Sequence, residues 1–191
     1  FVSTYPDVAL SIITPRRLGD VSNPDVDVFI TYGSGEFADM DSEHILDVIS
    51  SPVCSPAMVN RLGGMPEPQD VLRLGLLHLS DHMDWALWFS SVGLDPGLAA
   101  TGVVFSDMHL VYSAALAGQG IAMGDVVLSE DALNSGQLVR PFDQEVHSPK
   151  AYYIAVPHAM VGNPTVVAFR NWLRTERAQG FSHARKQATI R

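Results

Sequence analysis

The stretch FSDMHLVYSAALAGQGIAM, residues 105–123, decides the class of fold. It opens at the end of GVVF (102–105), a short β-branched run that reads as a strand. Ser106 and Asp107 stand where a helix cap belongs. Residues 108–117 then read as a helix, closed by Gly118. Residues 121–123 return as a strand. Strand, helix and strand in this order imply an α/β protein with mainly parallel sheets.

The same alternation continues outward. Upstream, LLHL (76–79) reads as a strand and DWALWFSSV (84–92) as a helix with apolar residues at helical spacing. Residues 69–74 form a short helix after GGMPEP (63–68), the strongest break in the chain. ILDVISSPVC (45–54) is extended, and Ser55-Pro56 supplies an N-cap and a proline at the first helical position. VDVFIT (26–31) is β-branched and mostly apolar, as a buried parallel strand should be. It ends at the conformationally free Tyr32-Gly33-Ser34-Gly35. VALSII (8–13) is expected as a first strand after Tyr5-Pro6-Asp7. Downstream, a helix near 127–134 ends at Gly136. LVRPF (138–142) suits an edge strand, where its proline is tolerable. AYYIAV (151–156) is a long apolar strand. Asn163-Pro164 caps a final helix, 165–176, with Val166, Phe169, Trp172 and Leu173 on one side. Residues 180–191 read as a loose polar tail.

The 191 residues are one domain or two small lobes. With 47% apolar and 17% charged residues, a sizeable core is expected. The formal net charge of -9 shows no sign of the basic face that a stand-alone nucleic-acid binder carries. Cys54 is the only cysteine, which excludes a disulfide within the chain and a CxxC zinc site and suits a reducing cytoplasm. No apolar stretch reaches the length of a membrane helix. The start, FVSTYPDV, has neither a basic region nor a cleavage site of a signal peptide. The first residue is Phe, not Met, so a preceding segment is expected.

Catalytic patterns are weak. His78 and His82 have the i, i+4 spacing of a helical metal pair, with Asp81 and Asp84 close by. They span the end of a strand, however, and no HExxH motif is present. There is no GxSxG elbow, and Cys54 has no obvious activating histidine. Gly33-Ser34-Gly35-Glu36 and Gly118-Gln119-Gly120 match neither a GxGxxG fingerprint nor a phosphate loop. Trp85, Trp88 and Phe89 read as a packed face. No cofactor, no metal and no enzymatic activity are expected.

Several phrases together resemble the regulatory domain of LysR-type transcriptional regulators. They are FVSTYPDVALSI, DVDVFITYGSGE, ISSPVCSPAMV, LLHLSDHMDWALWF, FSDMHLVYSAALAGQGIAM, LVRPF, and AYYIAVP followed by NPTVVAFRNWL. They cover about residues 1–176. DVDVFITYG and WALWF look like the branch of the glycine-cleavage activator and the β-lactamase regulators. The resemblance implies a fold like type II periplasmic binding proteins: two α/β lobes, two crossover strands and a ligand in the cleft between the lobes. Lobe I would be residues 1–49, together with 157–191 as its return and tail, and lobe II residues 50–156. It also implies that a helix-turn-helix, its linker helix, the first lobe I strand and most of the next helix precede Phe1.

In such folds ligands meet strand ends and helix starts. Thr31, Tyr32 and Gly33 end a lobe I strand, where the Thr31 hydroxyl and backbone groups would hold an amino or carboxyl group; the plain alternative is a strand-end turn. Ser106, Asp107 and Met108 occupy the strand-to-helix step where the family places a ligand contact, although either Ser106 or Asp107 would also serve as a simple cap. A ligand-facing Asp107 would favour an ammonium group. Met123 and Asp125 end the next lobe II strand, with packing and a helix cap as the alternative. Tyr152 and Tyr153 lie on the return crossover. Adjacent strand residues point to opposite faces, and the family pattern favours Tyr152 as the one near a ligand carboxylate.

The resemblance therefore implies an effector-sensing and oligomerising domain. A small polar metabolite, amino-acid-like in one version, would act as effector. The domain would pair with itself as a dimer or tetramer. Promoter DNA would be met only through the absent N-terminal module, in the cytoplasm and without membrane contact. The competing class is a stand-alone solute-binding protein of the same fold.

Overall fold

A computed structural model describes residues 1–15, 19–61, 63 and 67–187, with backbone alone for 178–187. The chain forms two compact units. The first comprises residues 1–47 and 149–191, the second residues 48–148. Two long strands, β2 (Met40–Val53) and β6 (Val146–Pro157), pass from one unit into the other.

The second unit contains α1 (Pro56–Arg61), α2 (Val71–Leu74), β3 (Leu76–Leu79), α3 (Met83–Ser91), β4 (Val103–Phe105), α4 (Met108–Leu116), β5 (Ile121–Asp125) and α5 (Glu130–Asn134). β3 pairs in parallel with both β4 and β5. β2 closes on β5 antiparallel, with Ser50 opposite Asp125. The sheet is thus mixed, with its parallel part where the β4-α4-β5 sequence predicts it.

Strand alternation builds two cores here. Leu76, Ile121 and Met123 join Trp85, Trp88 and Phe89 of α3 in one cluster. Their neighbours Leu77 and Ala122 join Val111, Ala114 and Ala115 of α4 in another. Adjacent residues on each strand point to opposite faces, so one helix covers each face. The α3 indoles are satisfied as well as buried: Trp85 Nε1 donates to Leu77 O at 3.1 Å and Trp88 Nε1 to Gln144 O at 3.2 Å. Small glycines let strands approach; a Cβ at Gly124 would stand 2.6 Å from the Val53 side chain.

The first unit pairs β1 (Phe29–Gly33) antiparallel with β6. α6 (Pro164–Gln187) supplies Val166, with Phe169 and Leu173 packed against Ile154 and Val156. The Phe1 ring lies 5.1 Å from Phe169 and 5.6 Å from Trp172. Arg170 bonds Asp41 Oδ2 at 2.6 Å and Glu43 Oε2 at 3.2 Å. Arg174 forks onto Glu43 at 2.7 and 2.6 Å.

Several local expectations are corrected. Residues 8–13 form no strand; Leu10, Ile12 and Ile13 are exposed. An apolar run becomes a strand only with a ladder partner, and this one pairs with none among the described residues. Residues 138–142 make a single bridge, Cys54 to Val139, rather than a strand; Pro141 has no N–H to extend it. The helix expected from about 127 begins at Glu130, because Val127 and Leu128 donate instead to Asp125 Oδ1. The final helix runs on to Gln187 through the segment expected as a loose tail, whose residues 188–191 lie outside the described residues. Of the GGMPEP break, residues 64–66 also lie outside them. Finally, Ser55 does precede α1, but its buried hydroxyl makes no hydrogen bond.

Candidate functional site

In the first unit the expected residues gather on the β1–β6 pair. Register sets Tyr32 opposite Tyr152 and Thr31 opposite Tyr153. Directly opposed residues share a face, so Tyr32 and Tyr152 lie together, with ring centroids 5.6 Å apart. Lys150, two residues before Tyr152, joins that face, with its Nζ 5.8 Å from the Tyr32 ring centroid. Thr31, Gly33 and Tyr153 face the other way. Thr31 is buried and its Oγ1 has no hydrogen-bond partner. Tyr153 is taken up in packing: its ring meets Phe37 and His44 edge-on, and its hydroxyl donates to Ser34 O at 3.5 Å. A Cβ at Gly33 would lie 2.9 Å from the tip of the Phe37 ring, so a side chain there would have to move that ring aside.

In the second unit the expected residues sit where β4 and β5 end. Both strands run parallel to β3, so their carboxyl ends emerge on one side of this sheet. Asp107 is the N-cap of α4, with Oδ1 accepting from His109 N at 2.7 Å. Ser106 is exposed, and Met108, first residue of α4, packs partly against Val111 and Ala114. Met123 belongs to the α3-side core. Asp125 is 2% exposed. Its Oδ1 accepts from Val127 N (2.8 Å) and Leu128 N (3.0 Å), while Oδ2 has no partner. Burial raises its carboxyl pKa above the usual range, and the two N–H bonds only partly oppose that. The Tyr112 hydroxyl accepts from Asp125 N at 3.0 Å, which ties α4 to the end of β5.

Lys150 and Tyr112 were not singled out from the sequence. Lys150 had a signal, its i, i+2 relation to Tyr152 on a strand. Tyr112 had none, because its contact depends on how α4 docks on β5.

The remaining reactive side chains are quiet. Cys54 is fully buried and its thiol is pushed up to about 11 by desolvation, so it is no nucleophile at neutral pH. His78 Nε2 lies 2.7 Å from Thr101 O and must donate to it. That leaves Nδ1 as the acceptor for His82 Nδ1, 3.3 Å away. Among the described residues no group of three or more His, Cys, Asp or Glu could hold a metal ion. No described helix is long and apolar enough to cross a membrane.

The Thr31 hydroxyl and the Tyr32 and Tyr152 phenols in the first unit, and the unspent Asp125 oxygen in the second, are each groups that can bond a polar ligand. The glycine cleavage system transcriptional activator of Escherichia coli (strain K12) is 30% identical over 178 residues, covering 93% of this chain and 58% of that protein. The transcriptional activator AmpR of Citrobacter freundii is 29% identical over 174 residues, covering 91% and 58%. The chain thus spans under two thirds of the length of these regulators. The solved effector-binding domain of Citrobacter freundii AmpR superposes with a TM-score of 0.82 at 28% identity, covering 93% of this chain and 88% of that one. The effector domain of Pseudomonas aeruginosa AmpR shares the fold, with a TM-score of 0.82 at 24% identity over 98% and 88%. The fold is therefore of the type II periplasmic-binding-protein kind. The family described as LysR substrate binding domain matches residues 1–178, and the chain belongs to that family.

Proposed function

We propose that this domain senses a small polar effector for a DNA-binding regulator of the LysR type, and that it carries the regulator's self-association into dimers or tetramers. The observation that carries the sensing role is two buried polar atoms left unspent, Thr31 Oγ1 within β1 and Asp125 Oδ2 at the end of β5. A buried polar group without a partner costs stability, and a ligand group recovers that cost. The side chains of Asp107 and Met123 are spent in a cap and a core. Effector contacts are assigned unit by unit: in the first to Thr31 on one face of the β1–β6 pair or to Tyr152 on the other, and in the second to Asp125. Tyr32, Gly33, Tyr153, Ser106 and Met108 provide their surroundings. Binding shifts the regulator only by the difference in the effector's affinity for its two states. Promoter DNA is contacted through an N-terminal module of the longer protein, in the cytoplasm. The relatives being transcriptional activators favours this over turnover of the bound molecule.

The test is a thermal-shift screen of amino acids, small carboxylates and cell-wall peptides on the regulator. One class should raise the melting temperature, and either Thr31→Ala or Tyr152→Phe, according to which face of the strand pair holds the effector, should abolish the rise without lowering the ligand-free value by more than a few degrees. If no compound shifts a regulator that still controls its promoter, the sensing role is lost and assembly remains.

A further inference from the structure

A hollow of about 440 Å³ opens within the unit formed by residues 48–148, away from every residue assigned above. It is bounded by the start and end of α1, the last turn of α4, and Gly136-Gln137. Its walls are mostly apolar, from Pro56, Ala57 and Leu116. Its polar groups are Ser55, Arg61 and Gln137.

Three independent features of these residues point to a ligand. Ser55 is 7% exposed, and its hydroxyl has no hydrogen-bond partner. That hydroxyl faces Gly118, because a Cβ on residue 118 would stand 3.2 Å from Oγ. The oxygen is itself buried, and rotation about χ1 is what turns this serine hydroxyl towards the hollow it lines. The Arg61 guanidinium donates from Nη1 to the weak acceptor Met58 Sδ at 3.3 Å, and it makes no ion pair among the described residues. Lastly, no acidic residue is among those that line the hollow, although acidic residues outnumber basic ones 21 to 12 in the chain. An arginine with no carboxylate partner among the described residues, on an apolar wall in an otherwise anionic protein, is a local attractor for negative charge.

We propose that this hollow is a second binding site, for a small organic carboxylate that carries a further polar group. The carboxylate sits on the Arg61 fork, which matches its two oxygens. The short carbon body lies on Pro56, Ala57 and Leu116. The further polar group meets Ser55, so both unspent groups are satisfied by one molecule. The site does not depend on the effector reading given above, and the two fail separately.

The experiment is amide NMR of the domain titrated with 3-hydroxybutyrate, with butyrate and inorganic phosphate as separate arms. Saturable shifts of residues 55–61, 116–118 and 136–137 by 3-hydroxybutyrate are expected. Arg61→Gln should weaken binding about tenfold or more, as loss of a charge-assisted pair requires. Ser55→Ala should weaken 3-hydroxybutyrate but leave butyrate unchanged, which a merely structural serine would not do. Arg61 lies on the surface, so its variant keeps the fold even if Ser55→Ala disturbs it. Phosphate binding as tightly as the organic acid would overturn the role of the carbon body. No saturable shift in these segments, or one that survives Arg61→Gln, would overturn the site.

Discussion

Asp125 shows how one residue can be both legible and misread. As the end of a short strand it reads as a cap, and half of it is one: Oδ1 holds the Val127 and Leu128 amides. The other oxygen is buried without a partner. Its carboxyl ordinarily titrates near 3.8, and in the fold it titrates higher. Below the ordinary value both folded and unfolded chains hold the proton. As pH rises through the folded pKa, the native state must ionise a desolvated group, and stability is lost. Asp125→Asn removes that ionisation while keeping an acceptor for the two amides. The melting temperature of the variant relative to the parent should therefore improve as pH rises from the ordinary value of 3.8 through the folded pKa, then level off. A difference that stays flat across this range would mean that the carboxyl is not desolvated. Cys54 is the opposite case. Its thiol is held near 11, buried just past the end of β2, and it should resist thiol reagents at neutral pH until the protein is unfolded.

Among the elements, α6 and β2 depend on charge more than the sequence suggests. The apolar stripe Val166, Phe169, Leu173 was visible as period 3.6, and it does pack on β6. The opposing acids were not visible. Asp41 and Glu43 lie about 130 residues from Arg170 and Arg174, beyond any local pattern. Hydrogen bonding to Arg174 lowers the Glu43 pKa below its ordinary 4.5, against a smaller desolvation effect, and Arg170 adds to the lowering. That stability is present above 4.5 and is lost as pH falls through the folded pKa. Arg174 is half exposed, so Glu43→Gln should cost about 1 kcal/mol or less near neutrality. The cost should shrink in high salt and vanish in acid. A salt-independent loss would show that packing rather than charge joins α6 to β2.

For the whole molecule, a formal charge of -9 sets a limit on what this domain does alone. Duplex DNA attracts proteins chiefly by phosphate neutralisation. This domain on its own should not retard promoter fragments in a gel at physiological salt, whereas the longer regulator should. Retardation by the domain alone, with a steep salt dependence, would place a DNA contact on this domain and overturn the division of labour proposed above.

How much of this was open to reading follows from the range of the forces involved. Alternation of helix and strand in residues 76–123, the burial of Trp85, Trp88 and Phe89, and the β4-α4-β5 sequence are local, because backbone period and apolar spacing are written within a few residues. The family likewise follows from the order of short phrases. The strand that residues 8–13 did not form, the single bridge at Val139 and the delayed start of α5 are decided by whether a distant backbone or side chain arrives to complete a hydrogen bond. The site divides in the same way. That Thr31 and Tyr152 stand on strands and that Asp125 ends one was readable. The unspent oxygens, the Tyr112 tie, the Lys150–Tyr32 contact and the hollow beside Ser55 belong to the tertiary structure, because satisfaction of a polar atom depends on what the rest of the chain brings within about 3 Å of it.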